Sequence, residues 1–129
     1  MLKICCYIFN TIDNVSSIEY NSSMNQRIVK IAQIGNKVPL IEWMNSLDKV
    51  TKSRIQSRLT RLLENNFGDH KKIDNDISEL RLAFGPGYRI YYTEIDEIII
   101  LLINGGNKST QSKDILKAKN ILHEWRSIQ

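Results

Sequence analysis

The sequence is poor in the residues that metal sites and disulfide frameworks require. Its 129 residues include two cysteines, the neighbours Cys5 and Cys6, and two histidines, His70 and His123. Without a CxxC pair or a His/Cys cluster, neither a zinc site nor a disulfide framework is supported, and a paired-histidine nuclease is disfavoured. The sequence also lacks a P-loop, a dinucleotide-binding fingerprint, a nucleophile elbow and a carboxylate cluster for metal. If the chain is an enzyme, we expect it to work with no cofactor and no metal ion.

No apolar run is long enough to cross a membrane. The run at residues 4–9 is far shorter than the roughly 20 residues of a transmembrane helix, and no small-residue cleavage site follows it. We therefore expect a soluble, cytoplasmic protein. Residues 10–26 are polar, rich in Asn and Ser, and without periodicity. We predict that residues 1–23 are a poorly ordered or dispensable extension, translated from an upstream start codon, and that residues 24–129 form one domain.

The balance of charge favours a polyanionic or acidic partner. Lys and Arg total 18 and Asp and Glu total 14, a formal net charge of +4. A positive excess is a feature of proteins that bind nucleic acid. Solvated surface charge explains a small excess equally well, so composition leaves both interpretations open.

The apolar periodicity predicts a strand, two helices, three strands and a final helix. Residues 27–33 alternate weakly and are rich in β-branched side chains, as in an edge strand. Pro39 suits the first turn of a helix, and the predicted buried face of that helix carries Leu40, Trp43, Met44 and Leu47. Asp48 or Thr51 is expected to cap a second helix that runs to about residue 66.

The second helix also carries a basic stripe. Arg54, Arg58 and Arg61 recur at helical spacing beside an apolar stripe that we expect to face the core. Such a stripe is usually a solvated face. In a basic protein it is also a candidate contact for RNA or for a protein partner.

A β-hairpin is the sharpest structural prediction. Residues 77–84 and 88–94 alternate as strands and are separated by Gly85-Pro86-Gly87, a strong turn signal. A three-residue loop would pair Phe84 with Tyr88 and Arg81 with Tyr91, and would gather the apolar side chains on one face. The other face then carries Glu79, Arg81, Ala83, Arg89, Tyr91 and Thr93.

The remaining elements complete an α+β fold. The run at residues 98–103 is apolar throughout, which is typical of a strand buried on both faces and central in its sheet. A glycine-containing loop at residues 104–110 leads into a helix that extends to about Trp125. We expect a small, mainly antiparallel, twisted sheet with helices packed on one face, and with the other face open.

The open face offers a candidate phosphate site. Arg81 and Arg89 lie on adjacent predicted strands, and Lys108 follows the central strand. Ser109 and Thr110 begin a helix whose free N–H groups attract anions. Cations in such a place bind an RNA phosphate and stabilise the charge that develops when a 2′-hydroxyl attacks it.

The residues alone leave several roles open. Tyr91 is expected to stack on a base or to handle a proton, unless it is present only for its β-propensity. Lys108 is equally a loop charge without a partner, and Arg81 and Glu79 are equally members of cross-strand surface pairs, which are common in antiparallel sheets. Acid–base chemistry falls to Tyr91, Lys108, Glu79 or Asp114, with no order among them.

Two motifs resemble those of the RelE/ParE toxin superfamily, in particular its HigB-like, phage-derived addiction module killer proteins. The first, at residues 78–92, reads Ser-Glu-Leu-Arg-Leu-Ala-Phe-Gly-Pro-Gly-Tyr-Arg-Ile-Tyr-Tyr. The second, at residues 101–111, reads Leu-Leu-Ile-Asn-Gly-Gly-Asn-Lys-Ser-Thr-Gln and is followed by Asp114 and Ile115. Both stand in the order and at the spacing of that group, and the likeness covers about residues 27–126.

The resemblance implies a RelE/ParE-like, microbial-ribonuclease-like fold and the toxin of a type II toxin-antitoxin system, with a helix-turn-helix antitoxin as partner. Nuclease members cut mRNA on the ribosome, so the resemblance implies that the chain is an endoribonuclease, or mRNA interferase. By position, Arg89 and Lys108 match phosphate-binding or catalytic residues, and Arg81 is a weaker third. Asp114 stands where some members have a catalytic tyrosine. Relatives of the ParE type share the fold but poison DNA gyrase, and an inactivated or purely binding member is the third alternative.

Overall fold

The computed structural model describes residues 27–129, and the predicted extension at residues 1–23 lies outside this range. The strands are β1 (Ile28–Ile31), β2 (His70–Lys72), β3 (Ser78–Leu82), β4 (Tyr88–Ile95) and β5 (Ile99–Asn107). The helices are α1 (Pro39–Asn45), α2 (Lys49–Leu63) and α3 (Gln111–Ser127), the last preceded by a 3-10 turn, Lys108–Thr110. No helix in this range has the length and apolar character needed to cross a membrane.

The strands form one mixed sheet of five strands. Its order is β1-β5-β4-β3-β2, with β1 parallel to β5 and the other neighbours antiparallel. The α+β class predicted from the sequence is confirmed, and β1 is an edge strand as expected. The sequence pattern does not predict β2, because its three residues are polar and all exposed and so show no alternation.

The larger core lies between the sheet and the helices α1 and α2. The helices contribute Leu40, Ile41, Met44, Ile55, Leu59, Leu62 and Leu63, and the sheet contributes Val29, Ile31, Leu80, Leu82, Ile90, Tyr92, Ile100 and Leu102. Asp48 is the cap of α2, since its Oδ2 accepts from the backbone N–H of Thr51 at 3.0 Å. α2 ends at Leu63, before the predicted end, and Asn65 follows with a left-handed φ of 63°.

Helix α3 covers the face of the sheet that was expected to be open. Its Ala118 and Leu122 pack with Tyr91, Leu101 and Ile103 in a second core. The prediction that all helices lie on one face is therefore wrong. The reason is that β5 is apolar on both faces, and burying its second face requires a helix on that side.

The hairpin loop between β3 and β4 is longer than predicted. Leu82 pairs with Tyr88, so the loop comprises residues 83–87 rather than 85–87. Gly85 and Gly87 have positive φ, at 55° and 78°, and the backbone N–H of Gly87 donates to the carbonyl of Phe84 at 3.0 Å. These glycines supply the left-handed backbone that closes the turn.

The longer loop displaces every predicted cross-strand pair by two positions. Arg81 stands opposite Arg89, and Glu79 rather than Arg81 stands opposite Tyr91. A shift of two residues leaves each side chain on its predicted face, because side chains alternate with a period of two. The faces were therefore predictable from alternation, whereas the partners were not.

Strand β5 is interior, between β1 and β4, and is buried along almost its whole length as predicted. It is second in the order, and β4 holds the middle position. Tyr91 pairs with Asn104 but Tyr92 pairs with Leu102, so Ile103 is the extra residue of a β-bulge. The bulge reverses the alternation of β5 just before its two glycines.

Candidate functional site

A block of mostly polar residues lies where β3, β4 and β5 run side by side under the first turns of α3. Cross-strand pairing arranges it in two rows. The inner row is Asn104, Tyr91 and Glu79, and the outer row, nearer the hairpin loop, is Gly106, Arg89 and Arg81. Without the bulge in β5, Asn104 and Gly106 would face α1 instead, so the bulge assembles the block.

The guanidinium of Arg89 is held by contacts at its Nε and at its Nη1. Its Nε lies 3.4 Å from Oε2 of Glu79, and the two side chains are 14% and 3% exposed. Nε2 of Gln111 donates to the same carboxylate oxygen at 3.1 Å. At the other end, Nη1 of Arg89 donates to the carbonyl of Gly87 at 3.3 Å. Glu79 thus holds Arg89 in place from the interior, and Nη1 lies at the hairpin loop.

Lys108 approaches the same glycine from β5. Its backbone N–H donates to the Gly87 carbonyl at 2.7 Å, so one carbonyl accepts from both cationic residues. A Cβ built on Gly87 would stand 3.4 Å from Nη1 of Arg89 and 3.6 Å from Cβ of Lys108. Lys108 is exposed, and none of residues 27–129 forms an ion pair with it. The structure therefore brings Arg89 and Lys108 together at one end of the sheet.

The backbone N–H groups of Ser109 and Thr110, in the 3-10 turn before α3, are already occupied. Oδ1 of Asn107 accepts from the backbone N–H of Ser109 at 2.9 Å and from that of Thr110 at 3.2 Å. The expectation that Ser109 and Thr110 offer free N–H groups to an anion is therefore wrong. Asn107 is the N-cap that satisfies them, a role in which asparagine is common.

Arg81 stands opposite Arg89 but forms an ion pair with Asp69. Its Nη2 and Nε donate to Oδ1 of Asp69 at 2.8 and 3.2 Å, and both side chains are partly exposed. The alternative of surface pairs holds for Arg81, whereas Glu79 is buried against Arg89 and is not at the surface. The predicted group of three cations is thus a pair, with Arg81 beside it in an ion pair of its own.

Tyr91 is enclosed beneath α3. Its exposed fraction is 0%, and its Oη has no hydrogen-bond partner. Burial raises the pKa of the hydroxyl above its usual value, and the nearby carboxylates of Glu79 and Asp114 raise it further. The predicted stacking of a base on Tyr91 is therefore wrong, since no base can reach the ring.

Removing the Tyr91 hydroxyl is expected to stabilise the protein. A buried hydroxyl without a partner costs about 1–3 kcal/mol, and Tyr91→Phe removes it while keeping the ring that packs in the second core. We expect the free energy of unfolding, measured by urea denaturation, to rise by about 1 kcal/mol. A fall of that size would mean instead that the hydroxyl is hydrogen-bonded in solution, for example to a buried water.

The predicted basic stripe on α2 divides into different roles. Arg58 donates to three backbone carbonyls at 2.8, 2.7 and 2.7 Å, which tie α2 to β3 and to the segment before β2. The guanidinium carbon of Arg54 lies over the ring of Phe84, 4.6 Å from its centroid. Arg61 is exposed. Arg58 thus has a structural role, and Arg54 and Arg61 remain candidates for contacts with RNA or a protein partner.

Sequence reasoning missed Gln111 and left Asp114 unranked. A signal for both was the Gly105-Gly106 pair inside a strand, since glycine there often marks the close approach of another group. The ring of Trp43 lies against Gly105 on one face, and the carboxylate of Asp114 lies against Gly106 on the other. Within residues 27–129, no three His, Cys, Asp or Glu side chains are placed to hold a metal ion.

No protein-family model matches the sequence. An uncharacterized protein of Haemophilus influenzae is 39% identical to the chain over 93 residues, which are 71% of this chain and 94% of the relative. The similarity therefore extends over nearly the whole of that relative.

Proposed function

This chain belongs to the same family as the Haemophilus influenzae protein, and we propose that it is the toxin of a type II toxin-antitoxin system. In this proposal it cleaves mRNA on the ribosome in the cytoplasm, through its side chains and without a metal ion. A small helix-turn-helix antitoxin holds it silent, as the resemblance to the addiction module killer proteins implies. The net charge of +4 suits an RNA substrate.

The observation that carries the proposal is the convergence of Arg89 and Lys108 on Gly87. The Arg89 guanidinium lies beside Gly87 and the Lys108 side chain starts next to the same glycine. Two such groups can share one phosphate, the guanidinium as a fork and the ammonium as a point charge. Arg89 is fixed before substrate arrives, because Glu79 and the Gly87 carbonyl hold it. A donor held in place stabilises a transition state better than one that must reorganise.

The reaction that fits this pair is cleavage by the neighbouring 2′-hydroxyl of the RNA. Attack on the phosphorus adds negative charge to the phosphoryl oxygens, and preorganised cations stabilise that charge. Lys108 is exposed, so its ammonium can reach a scissile phosphate bound at the end of the sheet. Arg81 lies in the same row, but its Nε and Nη2 donate to Asp69. We therefore assign Arg81 to RNA binding rather than to the reaction.

Inducible expression of the full chain in a bacterial host tests the proposed activity. We expect growth arrest, with new mRNA 5′ ends that appear only in translated regions, and we expect the cognate antitoxin to restore growth. An SOS response with intact mRNA would contradict the proposal in favour of gyrase poisoning. Unimpaired growth with intact mRNA would contradict it in favour of an inactive or purely binding member of the fold.

Lys108→Ala tests the site. The side chain is exposed, so its loss should change the free energy of unfolding by less than about 0.5 kcal/mol, whereas loss of one charge-stabilising donor should lower mRNA cleavage about 100-fold or more. Lys72→Ala is the matched control, because it removes the same charge from the exposed far-edge strand β2. Equal cleavage by Lys108→Ala and Lys72→Ala, counted by sequencing of 5′ ends, would refute the assignment of Lys108.

A further inference from the structure

The carboxylate of Asp114 lies on the sheet in a space that exists because residue 106 is glycine. A Cβ built on Gly106 would overlap Oδ2 of Asp114 and would stand 2.6 Å from its Cγ, well inside van der Waals contact. Gly106 pairs with Arg89 across β4 and β5. Asp114 therefore reaches from the first turn of α3 to the strand pair that carries Arg89.

Two hydrogen bonds orient Asp114. Oγ1 of Thr110 donates to its Oδ2, and Nδ2 of Asn104 donates to its backbone carbonyl at 3.2 Å. No cation among residues 27–129 forms an ion pair with Asp114. The carboxylate is thus held in place with its charge unpaired, and the Thr110 hydroxyl occupies only Oδ2.

The two acid–base candidates within the block, Glu79 and Tyr91, are enclosed. Glu79 is bound by Arg89 and Gln111, and its side chain is 3% exposed. Tyr91 is 0% exposed. Asp114, which lies against the block from α3, is half-buried. Of Glu79 and Asp114, it is therefore the carboxylate that a bound substrate can contact.

We propose that Asp114 is the general base of RNA cleavage, an inference that rests on the proposed ribonuclease function. Asp114 takes the proton of the 2′-hydroxyl, and the 2′-oxygen attacks the adjacent phosphorus. The bond from phosphorus to the 5′-oxygen breaks, and the leaving oxygen takes a proton from the ammonium of Lys108, while Arg89 stabilises the phosphoryl charge. The products are one RNA with a 2′,3′-cyclic phosphate and one with a 5′-hydroxyl. Water then removes the proton from Asp114 and returns one to Lys108.

A purely structural role predicts different behaviour. An acidic residue in the first turn of a helix stabilises the helix dipole by about 0.3–1 kcal/mol, and its loss would lower activity only as far as it unfolds the protein. A general base must be deprotonated to act, so its loss also removes the decline in rate toward acidic pH. The pH–rate profile therefore separates the two roles.

The test compares Asp114→Asn with the wild-type chain on ribosomes programmed with mRNA. We expect the single-turnover rate of cleavage to fall about 100- to 10,000-fold. We also expect the remaining rate no longer to decline toward acidic pH. The affinity of Asp114→Asn for an mRNA with a 2′-deoxy nucleotide at the cleavage site should differ from that of the wild type by less than about threefold. The reason is that the Asp114 carboxylate contacts only the 2′-hydroxyl, which this mRNA lacks. Glu124→Gln, an exposed acid on the same helix, is the matched control and should behave as wild type.

Gly106→Ala leaves Asp114 in the sequence but displaces its carboxylate from the sheet. The new Cβ occupies the space of Oδ2, and only the end of a flexible side chain has to move, so we expect an unchanged melting temperature with a loss of cleavage close to that of Asp114→Asn. This variant decides the matter if Asp114→Asn fails to fold. A wild-type chain that cleaves no RNA would refute the proposed function itself. A wild-type chain that cleaves, with Asp114→Asn or Gly106→Ala within threefold of it and showing the same pH profile, would refute only the role of Asp114.

Discussion

Arg89→Ala is expected to lower the free energy of unfolding by about 3–5 kcal/mol, the usual cost of removing one partner from a buried ion pair. The substitution leaves the carboxylate of Glu79, 3% exposed, with the amide of Gln111 as its remaining side-chain donor. An ionised carboxylate in that position has lost its hydration, and no cation compensates for the free energy of that loss. Small domains are stable by only about 5–15 kcal/mol, so this substitution should remove a large part of the free energy of unfolding.

The control is the double variant Arg89→Ala with Glu79→Gln, which removes the stranded charge. It should recover most of the loss, and equilibrium denaturation in urea followed by circular dichroism would show the recovery. Equal losses in the single and double variants would contradict this account, since Glu79 would then not need its partner. Arg89→Ala is therefore a poor probe of catalysis, because lower activity and lower stability would coincide. Lys108→Ala avoids this problem.

Gly105→Ala is expected to lower the free energy of unfolding by about 2–3 kcal/mol, through overpacking of the larger core. A Cβ on Gly105 would overlap the indole of Trp43 and stand 2.9 Å from its Cδ2. The indole cannot easily retreat, because it is carried by α1 and has the ring of Tyr88 beside it, with ring centroids 6.1 Å apart. Either α1 moves off β5 or the indole leaves its rotamer, and both are costly.

A compensating substitution shows whether the indole is the cause. Trp43→Leu removes the atoms that a Cβ at position 105 would overlap, so Gly105→Ala should cost less in that background than in the wild type. Thermal denaturation of the four proteins in this cycle measures the coupling. Additive losses would show that the cost lies in the strand backbone rather than in the contact with Trp43. The neighbouring Gly106→Ala differs, since it meets the movable end of Asp114 instead of a pinned ring.

The elements of this fold were largely predictable because each depends on short-range patterns. Proline at the start of α1, the Asp48 cap of α2 and the apolar stripes at helical spacing are local signals, and the structure has them as predicted. Alternation along β3 and β4 assigned their side chains to the correct faces. The short strand β2 gave no such signal, because an exposed edge strand has no buried face to mark it.

The site was only partly predictable. Arg89 and Lys108 come together as expected, because Arg89 follows the hairpin turn in β4 and Lys108 follows β5, whose end pairs with the start of β4. The burial of Tyr91 and the capping by Asn107 of the 3-10 turn before α3 were not foreseen. Each depends on what packs above the sheet, which periodicity along one strand does not describe.

Local sequence thus determined which segments become helices and strands, which side chains share a face, and where the cations gather. Tertiary structure alone decided the two-residue register of the hairpin, the bulge at Ile103 and the position of α3 over the second face of the sheet. The physical reason is that a strand pattern repeats every two residues, so registers that differ by two are equivalent until loop geometry and packing choose between them. Those long-range choices pair Arg89 with Glu79 and bring Asp114 down onto Gly106.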